Sequence, residues 1–543
     1  MPNTQSYNVV IFIGGTGARV MEACTHAAAM GMIGPVELVS LIIDKDSNCG
    51  NTLSAKKARS RYADLKSVIN PAKACEFATA QIKENDWSFD GALSQLLDVD
   101  AETTLKNTMV SDKTSQTDKV LLNALYSRDE QNQSTQKGFY GHPSIGALLF
   151  KAMLKSGGFK NDNSLNLAYG ITEALKANRE TRVFIAGSVF GGTGASVYSN
   201  IARYFRETAK KISPQANEHL HISGALMLPY FGIPKNIEGK AEPDQNDIRV
   251  LESEFFIKSK VALEQYGKDA KMVRRKDNKD FIFDTLYVLG GNHLDSTAKY
   301  YVDGDREQEN HFHAAEFFAA GALGHFFSQD AAELPGSVND SNIYTYCLST
   351  GDAPVPKIEW ENMPTDYRRK VSAMLRFCVF VITTVKAGFA LAGPGESQQI
   401  PIVKRIHGGF GKMGADDFEL LKQASEQVYS YCAGFVRYLR DVLCTGHDWS
   451  SDDENDPGRV GFAELSYLQS LVKVCKKLDT DRKEGLLDEI AYLSDHSKVF
   501  SGEDADVNST KVGNRLQTQS FGSGDISARA AEYFSKAYAF CKN

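Results

Sequence analysis

The residues best suited to chemistry are two copies of Gly-Gly-Thr-Gly, Gly14–Gly17 and Gly191–Gly194. Each follows an apolar run of strand length and opens an Ala-rich stretch of helical period. A strand that ends in glycines and turns into a helix aims backbone N–H groups, and the helix dipole, at one point. That arrangement binds anions, most often phosphate. Glycine suits it because a side chain would block close approach and because such turns visit positive φ. Thr16 and Ala195 complete the two loops, while Thr193 and Ser196 bring hydroxyls beside the second set of amides. Asp44, closing "LVSLIIDKD", supplies a carboxylate at the end of the next apolar run.

The elements that must position these groups follow from pattern. From residue 8 to about 295, the runs "NVVIFI", "VELVSLIID", "RVFIAGS", "LHISGALML" and "FDTLYVL" alternate with helical stretches. Alternation of this kind predicts a parallel sheet with helices on both faces, an α/β Rossmann-like domain. The near-continuous apolarity of "VVIFI" and "LYVL" suits strands buried on both sides. Residues 51–137 are polar and rich in Lys, Asp and Ser, and read as an insertion or small helical cap. The segment "EQENHFHAAEFFAAGALGHFFSQ" predicts one long buried helix. Beyond Pro354 the pattern is mainly helical, with only "IPIVKRI" reading as a strand. The expected division is therefore residues 1–330 as a nucleotide-binding domain and 331–543 as a mainly helical C-terminal region.

Composition narrows the function classes. The 543 residues carry a net charge of −7, which gives no bulk electrostatic case for nucleic acid as a direct partner. Nine cysteines without a C-x-x-C pair read as reduced thiols. The N-terminus enters a strand at once, and the most apolar window, "AMLRFCVFVITTVKAGFALAG", contains Arg376 and Lys386. A core helix is expected there, with no membrane insertion and a cytoplasmic location. His311 and His313, two apart on the expected helix, would face different ways and make a poor metal pair.

Two phosphate motifs fail. "GGFGKMG" has the wrong spacing for a Walker loop, with Met413 after the lysine. The dinucleotide fingerprint is met by Gly15 and Gly17, but Val20 stands at its third small position, and it leaves the second glycine loop unused. An NAD(P)-dependent oxidoreductase is thus a minor alternative.

The stretch "RVFIAGSVFGGTGASVYSNIAR" resembles the signature of the tubulin/FtsZ superfamily, a strand, a G-G-G-T-G-[ST]-G loop and a helix. Gly191, Gly192, Thr193 and Gly194 match, with Phe190 and Ser196 where the first and last glycines usually stand. "NVVIFIGGTGARVMEA" is similar to the family's first strand and first loop, and "LVSLIIDKDSN" to the second strand and its acidic loop. "GFYGHPSIGALLF" resembles the loop that senses the terminal phosphate, through Gly141, His142 and Gly146. "FDTLYVLGGNHLD" resembles the strand ending in Pro-Asn-Asp, with Asn292 at the asparagine. "NHFHAAEFFAAGALGHFF" resembles the long central helix, which would place Phe312 on the base and Glu316 at its edge. The family's guanine-reading asparagine after the first loop is replaced here by Ala18, followed by Arg19.

The resemblance implies GTP or GDP as ligand, with Mg2+ beside the phosphates. It also implies head-to-tail assembly into filaments or oligomers, in which an acidic loop of the next copy completes the site. "PKIEWENMP" is the counterpart of that loop, with Glu359 and Asn362 at its two acidic places and Glu361 adjacent. These three are the catalytic candidates of a slow, assembly-dependent GTPase. The alternative is a non-polymerising GTP-responsive regulator that holds a protein partner through its C-terminal region.

Overall fold

The computed structural model describes residues 6–46, 48–70, 75–85, 104–110, 114–134, 138–139, 142–156, 165–232, 252–268, 272–274, 280–290, 296–297, 306, 308, 310–329, 342–347, 358, 360–386, 388–389, 400–407, 413–445, 465–479, 493, 508–522 and 524–542. Seven strands form one parallel sheet: β1 (Tyr7–Ile13), β2 (Glu37–Ile43), β3 (Gln81–Glu84), β4 (Thr181–Ser188), β5 (Leu220–Met227), β6 (Thr285–Gly290) and β7 (Ile343–Cys347). Their order is β3-β2-β1-β4-β5-β6-β7, and every pairing is parallel.

The side-chain period of two explains the two cores. Val9, Ile11 and Ile13 of β1 face one layer, made by α3 (Pro143–Ser156), α4 (Leu165–Lys176), α5 (Gly192–Ile212) and α6 (Phe255–Lys268). Val10 and Phe12 face the other, made by α1 (Gly14–Ala29), α2 (Gly50–Ile69) and α7 (Ala314–Ser328). Because both faces are covered, the inner strands are apolar on both sides, which is what "VVIFI" supplies. Each fully buried Val, Ile or Phe contributes about 1.5–3 kcal/mol.

The C-terminal helices form a further layer on the α1–α2–α7 side. They are α8 (Thr365–Phe380), running on as a π-helical turn over Val381–Lys386, then α9 (Ala415–Leu443), α10 (Leu465–Asp479), α11 (Ser509–Gln517) and α12 (Ile526–Lys542). His26 of α1 is packed among Tyr431, Phe435 and Tyr438 of α9, and Tyr538 of α12 stacks on Phe77 at 4.2 Å. Arg376, in the apolar window, is buried and donates to the carbonyl of Cys541.

Four expectations change. The sheet does not end by residue 330, because β7 is its last strand. The stretch from Asn51 is not wholly an insertion: α2 packs on α1, and β3 is an edge strand. "IPIVKRI" is helical over Pro401–His407, with Ile402, Val403 and Ile406 buried on one helical face and Pro at the start, where its missing N–H costs nothing. The central helix begins at Ala314, so Phe312 lies in the extended lead-in. Among the described residues no helix is long and apolar enough to cross a membrane.

Candidate functional site

β1 and β4 are neighbours, yet the chain leaves them toward opposite edges of the sheet and onto opposite faces. This is a topological switch point, where a crevice opens beyond the strands' carboxyl ends. Gly14 starts α1 there with φ +70°, which glycine adopts at little cost. A Cβ on Gly14 would lie 3.3 Å from the Gly194 nitrogen and 3.5 Å from Thr193 Cβ, so the two GGTG loops touch. A Cβ on Gly15 would lie 3.3 Å from Asn51 Nδ2 and 3.9 Å from Cys49 Sγ, which brings the start of α2 to the same point. Thr193 Oγ1 donates to Asp44 Oδ1 at 3.4 Å and ties the second loop to the end of β2.

Three helices therefore begin side by side, behind the N-caps Ile13, Cys49 and Gly191. None has a side-chain cap and none has an acid in its first turn. First-turn amides have no intrahelical acceptor, and each helix start carries about half a positive charge. Thr52 Oγ1, in the first turn of α2, is buried and has no hydrogen-bond partner among the described residues. Helix starts that converge in this way can hold an anion with several oxygens.

Residues within the loops divide by exposure. Gly15, Thr16, Gly191, Gly192 and Ala195 are half-exposed, whereas Gly14, Gly17, Thr193, Gly194 and Ser196 are buried. A Cβ on Gly17 would lie 2.8 Å from the Phe12 carbonyl carbon, so this glycine lets α1 lie against β1. A Cβ on Gly194 would lie 2.7–2.9 Å from three atoms of Ser188. One on Gly146 would overlap Ser196 Oγ and the Phe139 ring. Ser196 Oγ is turned inward to the carbonyls of Gly192 and Thr193 of its own helix. For Gly146 and Ser196 the expectation of ligand contact gives way to helix packing.

Asp44 is half-buried, and its carboxyl is pushed up to about 7. Burial is the main cause and Asp46 adds to it, against hydrogen bonds from the backbone of Asp46 and Lys45 and from Thr193. His142 is half-exposed and pairs with Glu130 at 3.3 Å. Burial lowers its pKa, Lys258 lowers it further, and Glu130 opposes both.

The lead-in to α7 borders the same point. The Asn51 N–H donates to the Gln308 carbonyl, the Asn310 N–H donates to Asn51 Oδ1, and Cys49 Sγ lies 3.2 Å from Gln308 Oε1. The end of α9 holds the next residues. Asp441 Oδ2 accepts from the Phe312 N–H and pairs with His311 at 3.3 Å, and Thr445 Oγ1 accepts from the Ala314 N–H. Burial pushes the Asp441 carboxyl up, but Arg440 and His311 hold it down at about 2. Phe312 is half-buried, 5.1 Å from the Tyr438 ring.

Glu316 departs most from expectation. It is fully buried, and its Oε1 pairs with Arg19 Nη2 at 2.5 Å and accepts from the Tyr230 hydroxyl at 2.6 Å. Its Oε2 accepts from the His313 N–H in a capping box. A carboxylate so occupied is not open to the edge of a base. Arg19 also reaches the Tyr230 hydroxyl and lies 4.9 Å from the Phe231 ring centre.

Gly141, Asn292 and Glu359 lie outside the described residues, as does the side chain of Glu361; Asn362 is exposed. Among the described residues no group of three His, Cys, Asp or Glu gathers as a metal site. Sequence reasoning passed over Asn51, Cys49 and Tyr230. The signal for the first two was present, since Cys49-Gly50-Asn51 is a third small-residue helix start behind a strand. Neither a family model, a curated protein nor a solved structure matches this chain.

Proposed function

We propose that this chain binds GTP where α1, α2 and α5 begin, as a divergent member of the tubulin/FtsZ superfamily, and hydrolyses it slowly at contacts between copies. The observation that carries the reading is the meeting of three uncapped helix starts at the switch point, with both GGTG loops in contact. The backbone N–H groups of half-exposed Gly15, Thr16 and Gly192 are the donors for phosphate oxygens, while that of Gly191 is held by Ser188 Oγ. Mg2+ screens clustered phosphate charge and keeps most of its waters, so Asp44 and Thr193 suffice as its nearest protein groups. Each glycine loop serves the ligand here, which a dinucleotide reading does not achieve.

The acidic segment supports the arrangement between copies. Trp360 is stacked on Phe317, Tyr367 donates to the Met32 carbonyl, and Lys370 donates to the Gly31 carbonyl. Met32 lies beyond the far end of the 16-residue α1, about 24 Å from Gly14 along the helix axis. Asn362 is exposed near that end, out of reach of its own cradle, which supports a role at a second copy's. Asparagine orients a water, and a neighbouring carboxylate, Glu359 or Glu361, takes its proton.

A regulator that does not polymerise is the second reading. It is favoured by Asp441 and Thr445, which fasten the C-terminal layer directly to the start of α7. The test is to denature purified protein and identify the nucleotide released. GTP or GDP is expected, and NAD(P) would overturn the proposal. Sedimentation with a slowly hydrolysed GTP analogue then separates filament from regulator.

A further inference from the structure

A cavity of about 490 Å³ lies within the C-terminal layer, between the π-helical turn Val381–Lys386, the short helix Pro401–His407, α11 and α12. That volume is in the range of small-molecule sites. Lys404 and Arg405 line it from the short helix, and Thr510, Gly513, Asn514 and Gln517 line it from one face of α11. The apolar residues of both helices, Val512 on α11 and Ile402, Val403 and Ile406 on the short helix, are buried in the core. The π-helical turn, a form that recurs at functional sites, brings Thr384 to the cavity, where its hydroxyl has no hydrogen-bond partner among the described residues.

Charge is the first pointer to an occupant. Among the described residues no carboxylate lines the cavity, and the side chains of Lys404 and Arg405 make no ion pair or hydrogen bond. Two uncompensated cations in one cleft, on a chain of net charge −7, focus positive potential there. Burial pushes the Tyr533 phenol up and the Arg405 charge opposes it, so the guanidinium stands near this buried residue of the cavity wall.

Gly513 is the second pointer. It sits inside α11 without a positive φ, and a Cβ there would meet nothing within 4 Å. Neither backbone conformation nor packing asks for glycine, which weakens a helix relative to alanine. A glycine in a cavity wall lets a ligand lie directly against the helix backbone.

We propose that this cavity binds an organic phosphate monoester of sugar-phosphate or nucleoside-monophosphate size, at a site with no residue in common with the glycine-loop cradle. The charge of a phosphate dianion matches Lys404 and Arg405, and the arginine fork takes two of its oxygens at once. Thr384, Thr510, Asn514 and Gln517 offer donors and acceptors to a polyhydroxyl body lying on Gly513. The inference is independent of the nucleotide reading above.

Isothermal titration of the full chain carrying Gly192→Val, which closes the cradle, tests this with glucose 6-phosphate and adenosine 5′-monophosphate. At least one is expected to bind with a Kd below about 1 mM, and glucose or adenosine about tenfold more weakly or worse. The tighter of the two esters identifies the body as sugar or nucleoside. Adding Lys404→Gln and Arg405→Gln is expected to weaken binding about tenfold or more with the melting temperature unchanged. Gly513→Ala is expected to melt no lower than its parent without ester, and to bind the ester more weakly. Binding of neither ester overturns the proposal, as does binding that survives loss of both cations. A Gly513→Ala protein that melts lower and binds as before also counts against it, because the glycine would then serve packing alone.

Discussion

Replacing Glu316 by Gln tests whether this carboxylate is a structural counter-ion or a ligand contact. The change is nearly isosteric, and it leaves the Arg19 guanidinium, 2% exposed, without its anionic partner at 2.5 Å. Breaking one side of a buried ion pair costs about 3–5 kcal/mol, mostly the penalty of the stranded charge. Unfolding entropy of about 2.1 cal/mol/K per residue, over 543 residues, comes to about 1.1 kcal/mol/K. The expected drop in melting temperature is therefore about 3–4 °C by calorimetry or circular dichroism. Removing both charges in Arg19→Met, Glu316→Leu should restore most of that loss, because an apolar pair of similar volume is often neutral in such a site. A Glu316→Gln protein that melts like the parent but loses GTP affinity tenfold would refute the reasoning, since the carboxylate would then face the ligand.

Gly192→Val should abolish nucleotide binding, seen by equilibrium dialysis, with little change in melting temperature, because Gly192 is half-exposed at the first turn of α5. A valine protein that binds GTP normally would remove α5 from the cradle. Asp44 holds its proton more tightly in the fold, near 7 against an ordinary 3.8, so the native state binds more protons than the unfolded one. Stability of the nucleotide-free chain should then fall as pH rises from about 4 to 7, and Asp44→Asn should flatten that slope; parallel melting curves for the two proteins across this range would count against the shift. Asn362→Arg, at the end remote from the cradle, should block nucleotide-dependent sedimentation while GTP affinity stays within about twofold, as measured by pelleting and dialysis side by side.

Much of the fold was legible because its determinants are local. The five inner apolar runs are strands since both faces of the sheet are covered, and a covered strand cannot afford polar alternation. β7 escaped notice because "IYTYC" is an edge strand, half-exposed and poor in aliphatic residues. "IPIVKRI" misled because a short apolar run fits either period, and only burial of Ile402, Val403 and Ile406 on one side settles it. Phe312 fell outside the helix because His313 caps it, a role histidine sequence patterns do not advertise.

By itself the sequence determined where helices start with glycines behind strands, because turn geometry and exposed first-turn amides are properties of a few consecutive residues. Only the tertiary structure decided that three of those starts meet, that Gly146 and Ser196 pack on each other, and that Glu316 turns to Arg19 and Tyr230. The physical reason is that these outcomes depend on partners far apart in the chain. A buried carboxylate goes to whichever cation and donors the fold brings within reach, and no local pattern records that choice.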